Sequence, residues 1–474
     1  MGHQEVEPSL PPAHQPTVDT DPTTPTVTDT GIPAGPYSEP AGATEAAGEA
    51  AAHTTTTSTT PGGSGELLKL ALPLIVSQSF MTVQVFVDTL LLSWHDPLEM
   101  AASFPAVMWY WLFFGVLQVT AGYTSTFVAQ YTGANRPHRV GPAVWQGIHF
   151  ALVAGIAFLC VLPTVPFFIS LGGHTPEVQK LEVIYLKCLC FAALPMLVMG
   201  AVNGFFSGRG QTWTVLGIEG FGTAVNVGLA LVLVFGRAGF PEMGIEGAGW
   251  ATVVGSWASA LLALALMSRR KFRTEFGTLS GWKPERELFG RLMKYGGPAG
   301  MQVFLDVLVF NMFTQLVGRL GDAALGATTL AVRLNMIAFL PMMGLGQAVC
   351  ILVGQRLGEN RPNLAEKSTY TGLRWMFGYM CLVAFAYVAI PGVLLAVFEG
   401  DREPEKFAAI AEVVPRLLLY VAVFSLADSI NLSFAFALRG AGDTKFVTLL
   451  TFSLAWPLMV IPTFLVVTFG GSVY

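Results

Sequence analysis

Long apolar runs dominate this sequence and decide which folds are open to it. A helix needs about 20 mostly apolar residues to cross a bilayer. Charged residues make up only 12% of the chain, whereas soluble proteins carry about 25%. Eleven runs of spanning length lie near 70–94, 104–131, 144–171, 181–207, 214–236, 245–267, 295–317, 329–355, 371–398, 408–438 and 446–469.

These runs are about two to three times too long for barrel strands, and they do not alternate between polar and apolar residues. They predict an all-α polytopic membrane protein, with the lipid bilayer as its solvent. The same composition excludes a soluble enzyme and a nucleic-acid binder with a basic face. It also excludes a small secreted domain held by disulfides.

The first 65 residues have a different composition. They hold eight Asp and Glu residues and no Lys or Arg, and they are rich in Pro, Thr, Ala and Gly. A segment of this kind cannot bury enough apolar surface to offset the entropy of ordering it. Residues 1–65 are therefore predicted to be a disordered acidic tail.

The distribution of basic residues predicts the orientation of the chain. With the N-terminus inside, 17 of the 26 Lys and Arg residues fall in cytoplasmic segments, and eight of them lie in the loop 268–294. Positive charge favours the cytoplasmic side of a membrane. We therefore expect a multi-pass protein of the inner (plasma) membrane with a cytoplasmic N-terminus.

Three sequence matches indicate an internal duplication. VAQYTGANRP at 128–137 shares six of ten residues with VGQRLGENRP at 353–362, at an offset of 225. Pro73 and Pro298 share that offset, and SGRGQT at 207–212 matches RGAGDT at 439–444 at an offset of 232. Because the first unit has six spans, the second starts on the same side of the membrane, which makes the repeat parallel.

The duplication predicts two bundles that face each other across a central cleft. The first repeat, or N-lobe, takes residues 66–267 with six spans, and the second repeat, or C-lobe, takes 295–474 with five. The basic segment 268–294 links them. A counterpart of the sixth span would begin just after Tyr474, so we expect a truncated chain that lacks a twelfth span. The alternative is a natural protein of eleven spans.

The motifs of catalysis are missing from the sequence. No Lys follows a Gly, so there is no GxxxxGK phosphate loop, and neither HExxH nor CxxC occurs. ATP-driven pumping and metal-dependent catalysis therefore have no motif to support them. We expect a protein that is not an enzyme, binds no nucleic acid and needs no cofactor.

Three carboxylates lie in the middle of predicted spans: Asp88, Asp306 and Asp428. An ionisable group at mid-bilayer costs roughly 2.5–3.5 kcal/mol, which makes it a functional candidate by default. None of the three has a basic residue within four positions. Each has an amide side chain at helical spacing instead: Gln84 is four residues before Asp88, Gln302 is four before Asp306, and Asn431 is three after Asp428. Such sites can hold Na⁺ or a proton. The alternative is a protonated carboxyl that ties helices together.

Weaker candidates surround these three. Glu219 and Asn226 lie on one face of the fifth span, although Glu219 is close enough to the end to snorkel toward the surface. Aromatic residues of the second span and methionines of the seventh and eighth could line a substrate cleft, or could simply pack. The cleft candidates are Trp109, Trp111, Phe114, Met301 and Met336.

The chain resembles the multidrug and toxic compound extrusion (MATE) family, and within it the NorM-type subgroup. The stretches that carry the resemblance are ALPLIVSQSFMTVQVFVDTLLL (71–92), NGFFSGRGQT (203–212), FPEMGIEGAGWATV (240–253), LVGQRLGENRP (352–362) and FALRGAGDTKF (436–446). Together they cover essentially all of the membrane part. The resemblance implies a MATE-type fold and the export of amphipathic, often cationic compounds, driven by inward Na⁺ or H⁺.

The resemblance also implies roles for particular residues. Asp306 and Asp428 match the acidic residues that form the cation site of the C-lobe, as a candidate Na⁺ site, although the subgroup usually has Glu at the first position. Asp88 and Asn226 match an N-lobe network used in ion-linked switching. Where that network commonly has a second Asn, this chain has Ala230.

Two further functions are consistent with the same architecture. A flippase for lipid-linked precursors shares the two-bundle plan, but its cleft should hold Arg or Lys for the pyrophosphate. A membrane scaffold that transports nothing would have no use for costly carboxylates in its spans. The expected function is therefore secondary active efflux of small-molecule drugs or toxins in exchange for Na⁺ or H⁺.

Overall fold

The computed structural model describes residues 60–319, 322–396 and 404–468, and within these ranges the regular elements are all helical. The first repeat contains α1 (Ser64–His95), α2 (Pro97–Gly122), α3 (Thr124–Gly133), α4 (Pro137–Leu159), α5 (Val165–Ser170), α6 (Pro176–Gly208), α7 (Thr212–Leu233) and α8 (Gly244–Met267). The remaining helices are α9 (Arg270–Phe276), α10 (Arg286–Gly318), α11 (Asp322–Gly358), α12 (Pro362–Ala389), α13 (Pro391–Ala396), α14 (Pro404–Ala441), α15 (Thr444–Ala455) and α16 (Ile461–Thr468).

Eleven helical segments in the described ranges are long and apolar enough to cross a membrane. Each overlaps one of the eleven predicted runs, which confirms the predicted all-α membrane fold. α2 and α3 together form one segment, and α15, a π-helical turn and part of α16 form the last. Of the predicted tail, residues 1–59 lie outside the described residues, as do residues 469–474.

The duplicated ten-residue motif adopts the same backbone conformation in both copies. Asn135 and Asn360, 225 positions apart, have φ of 53° and 57°, and a proline begins the next helix two residues later. Asn tolerates this left-handed conformation better than most residues do. The motif therefore encodes one specific turn, which joins α3 to α4 and α11 to α12.

The helices pack in equivalent ways in the two repeats. α1 packs on α7 as α10 packs on α15, and α4 packs on α6 as α12 packs on α14. Between the repeats, α1 packs on α11 and α10 packs on α2. These two contacts are also equivalent under the sequence offset. The repeats are thus related by a pseudo-twofold arrangement, as the parallel duplication predicts.

Two glycines allow the repeats to approach closely at one face. We call it the N-terminal face, because α1 begins there and α3, α6, α11 and α14 end there. A Cβ atom at Gly133 would overlap the carbonyl oxygen of Gln355, and one at Gly358 would overlap that of Gln130. The steric requirement is reciprocal, so this face is closed by backbone contact.

An ion pair also ties the repeats together at the N-terminal face. Arg356 of α11 contacts Glu66 of α1 and donates to Glu359 at 2.8 Å. The Glu66 carboxylate in turn accepts from the backbone of Gly62 at 2.8 Å. The start of α1 is therefore anchored to the second repeat.

The segment 268–294 is bound firmly to the first repeat. The Arg209 guanidinium lies 3.8 Å from the ring centre of Phe205, 4.5 Å from that of Phe272 and 4.4 Å from that of Phe276. Burial lowers the pKa of Arg209 to about 10, which leaves it charged at neutral pH. Trp145 of α4 donates to the Thr278 carbonyl at 2.6 Å.

Part of this predicted loop is helical. α10 begins at Arg286, inside the segment 268–294. The reason is the spacing of two apolar residues: Leu288 and Leu292, one helical turn apart, are 5% and 1% exposed. Their burial extends the helix beyond the hydrophobic run that defined the predicted span.

Candidate functional site

Two of the predicted carboxylates come together in the second repeat. Asp306 on α10 and Asp428 on α14 interact electrostatically with each other, and Asp306 also interacts with Arg439. Asn431, one helical turn after Asp428, donates to its Oδ1 at 3.3 Å. Asp306 therefore lies within electrostatic range of Asp428 and Arg439, and we call these three residues the acidic cluster.

The predicted partner of Asp306 binds Arg439 instead. Arg439 Nη2 donates to Gln302 Oε1 at 2.8 Å, and no hydrogen bond joins Gln302 to Asp306 in the described part of the chain. Gln302 is 6% exposed, so this bond is shielded from water. The amide thus contributes to the cluster by orienting the guanidinium.

Asp306 is exposed, whereas Asp428 is half-buried. An accessible charge at the depth of a span needs an aqueous cleft, because lipid disfavours it strongly. Met301 and Met336, both predicted to line such a cleft, are 47% and 60% exposed. They neighbour Gln302 and Asn335, and Asn335 accepts from Ser425 of α14 at 2.8 Å.

The backbone next to Arg439 is held by the first repeat. Tyr123 Oη donates to the Arg439 carbonyl at 3.0 Å, and Gln130 Nε2 donates to the Gly440 carbonyl at 2.8 Å. Gln130 is 2% exposed. The acidic cluster and the closed N-terminal face thus share residues 439 and 440.

The third predicted carboxylate, Asp88, is buried in the first repeat. It is 5% exposed, and its Oδ1 has no hydrogen-bond partner among the described residues. Gln84, predicted as its partner, makes no hydrogen bond to it in the same ranges. A buried, unpartnered carboxylate oxygen is costly, so the site is suited to a proton or to a bound cation.

Glu219 is held by two other helices. Its carboxylate accepts from Ser77 of α1 and, at 3.0 Å, from Asn203 Nδ2 of α6. These contacts place Glu219 between helices rather than at the surface. Sequence reasoning missed both partners, because they come from distant segments and share no local spacing with Glu219.

Asn226 joins two helices of the same repeat. Its Nδ2 donates to Thr252 Oγ1 of α8 at 3.1 Å, and its Oδ1 is buried without a partner in the described chain. Asp88 lies one turn before Leu91 on α1, and Asn226 lies one turn before Ala230 on α7. Leu91 and Ala230 belong to the same buried hydrophobic cluster. The two polar residues are therefore placed on adjoining faces of α1 and α7.

The aromatic residues of α2 form a packed cluster. Phe114 is 1% exposed and stacks on Tyr110 with ring centres 4.6 Å apart. Trp111 meets Phe114 edge-on at 5.5 Å, and Trp109 lies 5.7 Å from Phe168. In this conformation Phe114 belongs to the core and does not line an open cleft.

Arg439 is the residue of the site to which sequence reasoning gave no role, although it lies in the stretch FALRGAGDTKF. It lies eleven residues after Asp428, which is about three helical turns, so a search within four positions missed it. The signal was its place in RGAGDT, where a charged residue ends an apolar run. In the first repeat the equivalent position is Ser207, so the charge is specific to the second.

Comparisons with known proteins agree with this architecture. A family model described as MatE matches residues 73–232 and 298–465. The chain is 26% identical over 395 residues to a probable multidrug resistance protein NorM of Shewanella oneidensis, covering 82% of this chain and 84% of that protein. It is 28% identical over 398 residues to the multidrug resistance protein PmpM of Pseudomonas aeruginosa, covering 82% and 81%.

Solved structures have the same fold. An outward-facing multidrug resistance MATE family transporter of the MOP superfamily aligns with a TM-score of 0.76 and 19% identity, over 85% of this chain and 88% of that one. A MOP superfamily transporter from Pyrococcus furiosus, described as having a binding pocket of reverse polarity, gives the same values.

The family model covers more than half of the chain, and its two matches start 225 residues apart, which is the offset of the duplicated motif. Together with the eleven spans, these matches show that the chain is a multi-pass membrane protein and belongs to the MatE family.

Proposed function

We propose that this protein is a secondary active transporter that exports amphipathic, often cationic drugs and toxins in exchange for Na⁺ or H⁺. The observation that carries the proposal is that two acidic residues of different spans, Asp306 and Asp428, lie within electrostatic range of each other. Two acidic groups in one cleft attract a cation of either kind. The multidrug resistance proteins to which the chain is similar support the nature of the substrates.

The transport cycle that we propose is alternating access between the two repeats. The drug cation binds at Asp306 and Asp428 from the cytoplasm, and an incoming Na⁺ or proton then takes the same carboxylates and displaces it outward. A ligand shifts such an equilibrium only by its differential affinity for the two states. One charge crossing 100 mV supplies about 2.3 kcal/mol, enough for roughly fifty-fold accumulation.

The arrangement in the membrane is part of the proposal. Residues 66–267 and 295–474 form the two lobes, the segment 268–294 faces the cytoplasm, and the N-terminus lies inside the plasma membrane. The N-terminal face, closed by Gly133 and Gly358, is then the cytoplasmic face. No cofactor and no ATP enter this mechanism.

Reconstitution tests this function directly. The purified protein is placed in proteoliposomes, and efflux of ethidium is followed under a Na⁺ gradient alone or a pH gradient alone. We expect one of the two gradients to drive efflux, and that gradient identifies the ion. Efflux under neither gradient would contradict the proposal.

A lipid flippase is distinguished in the same vesicles. Its pyrophosphate substrate would require a cleft dominated by cations, whereas the cluster described here combines two carboxylates with Arg439. Translocation of a fluorescent lipid-linked pyrophosphate, without ethidium efflux, would favour the flippase.

A further inference from the structure

We propose that Arg439 sets the charge of the cation that this protein accepts. The inference rests on the proposed export function and deepens it, because it assigns the substrate class of the same site. Arg439 is a positioning and specificity residue in this view: it leaves the cluster one net negative charge instead of two.

The geometry keeps the guanidinium at the cluster. Its Nη2 donates to the buried Gln302 at 2.8 Å, and Gln302 lies one helical turn before Asp306 on α10. The Arg439 Nε is also buried and has no hydrogen-bond partner among the described residues. The guanidinium is therefore held one helical turn from Asp306, and it lies about three turns from Asp428 along α14.

Hydrogen bonds from the first repeat hold the backbone at Arg439 in place. Its own carbonyl accepts from Tyr123 at 3.0 Å, and the next carbonyl, that of Gly440, accepts from Gln130 at 2.8 Å. Both donors belong to the other repeat. The backbone that carries the guanidinium is thus fixed from outside its own bundle while the N-terminal face is closed.

The charge count then predicts selectivity. Asp306 and Asp428 carry two negative charges when ionised, and Arg439 balances one of them. A monovalent cation completes neutrality, whereas a divalent one leaves one excess positive charge next to Arg439. Removal of the arginine charge stabilises a bound dication about twice as much as a bound monocation, because the Coulomb energy is proportional to the charge.

The test compares a monocation with a dication. Kd values for ethidium and for methyl viologen are measured on the full chain in lipid nanodiscs, for the wild type, Arg439→Gln and Arg439→Lys. We expect Arg439→Gln to shift the ratio of the two Kd values by about tenfold in favour of methyl viologen. Arg439→Lys, which keeps the charge, should retain the wild-type ratio.

Two further variants control the result. Arg333→Gln removes an exposed arginine from α11 and should leave the ratio unchanged. If Arg439→Gln does not fold, Gln302→Glu replaces it. That change adds one negative charge, keeps an acceptor for Arg439, and should shift the ratio in the same direction.

The outcomes separate this inference from the proposed function. Equal changes in both Kd values for Arg439→Gln, or no change, would overturn the charge-setting role while cation export stood. Wild-type affinity of Asp306→Asn for both probes would instead contradict the proposed cation site itself. A merely structural role for Arg439 predicts loss of both affinities together, without a change in their ratio.

Discussion

Gln130 and Gln355 donate equivalent hydrogen bonds from opposite repeats. Gln130 Nε2 donates to the carbonyl of Gly440, and Gln355 Nε2 donates to that of Gly208, both at 2.8 Å. The glutamines are 225 positions apart and the glycines 232 apart, which are the offsets of the duplicated motifs. Gln130 of the first repeat binds the second repeat, and Gln355 of the second repeat binds the first. The two hydrogen bonds therefore cross the interface in opposite directions.

Through these two hydrogen bonds, both copies of the duplicated motif hold the two repeats together at the N-terminal face. Each glutamine side chain binds the opposite repeat, while its carbonyl lies against a glycine of the other motif copy. A larger residue in place of Gly133 or Gly358 would push away the glutamine carbonyl that lies against it. Both copies of the motif therefore contribute contacts to the closed face.

Removal of both glutamine amides should open the N-terminal face more often. Cys350, whose Sγ lies 3.6 Å from Thr126 Oγ1 of the other repeat, reports on it because it is 5% exposed. In a background with the exposed Cys160 and Cys381 replaced by alanine, Gln130→Leu/Gln355→Leu should raise the labelling rate of Cys350 by a water-soluble maleimide about tenfold. Each lost hydrogen bond removes the partner of a backbone carbonyl, at a cost of about 1–3 kcal/mol where that carbonyl is buried.

The matched control is Gln179→Leu. Gln179 also donates to a backbone carbonyl, that of His174 at 2.8 Å, but within the first repeat. In the Gln179→Leu variant, the labelling rate of Cys350 should equal that of the background protein. Unchanged labelling of the double variant would mean that the glutamines do not hold the face closed.

The acidic cluster should be essential for export. Asp306→Asn and Asp428→Asn each remove one negative charge while they preserve shape, so we expect each to reduce drug resistance of an efflux-deficient host to the host level. Resistance is measured as growth in ethidium, with membrane expression quantified in parallel. Glu366→Gln, at an exposed position of α12, should keep full resistance. Wild-type resistance of either aspartate variant would remove that residue from the cation site.

The sequence predicted the parts of this protein that local pattern encodes. Apolar runs of spanning length gave eleven segments that the structure has, and the shared motif at 128–137 and 353–362 predicted the repeat. Asp306 and Asp428 could be selected because a carboxylate in a span is rare in itself. These features need no knowledge of which helices touch.

The contacts of the site depend on tertiary packing, and the sequence did not predict them. Gln302 lies at the right spacing for Asp306, yet its Oε1 accepts a hydrogen bond from Arg439, which α14 brings in from a distant part of the sequence. Similarly, Ser77 and Asn203 reach Glu219 only because α1, α6 and α7 converge.

Glu219 and Asp88 should therefore respond differently to substitution. Glu219→Ala leaves Ser77 and Asn203 without their acceptor and should lower the free energy of unfolding by about 1–3 kcal/mol. Asp88→Asn removes a carboxylate that has no hydrogen-bond partner in the described chain at Oδ1, so it should leave stability unchanged while export falls. Thermal melting in detergent and ethidium efflux separate the two effects. If Glu219→Ala and Asp88→Asn lowered the melting temperature equally, the assignment of a stabilising role to Glu219 alone would be wrong.

The last prediction concerns the attachment of the segment 268–294. Arg209 contacts Phe272 and Phe276 of α9 from the end of α6, and its planar cation stacks on their rings. Arg209→Gln removes this attraction, which is worth about 0.5–2 kcal/mol, and should release α9 from the first repeat. Trypsin should then cut faster at the exposed Arg269, Arg270, Lys271 and Arg273.

Arg237→Gln is the matched control, because Arg237 lies 5.2 Å from the ring of Phe235 and outside this segment. Its cleavage pattern should equal that of the wild type. Arg209→Lys should be intermediate, since an ammonium keeps the charge but lacks the flat face that stacks on a ring. If Arg209→Gln is cut no faster than the wild type, the contacts of α4, such as Trp145 with Thr278, suffice to hold the segment, and the aromatic cluster stabilises only the end of α6.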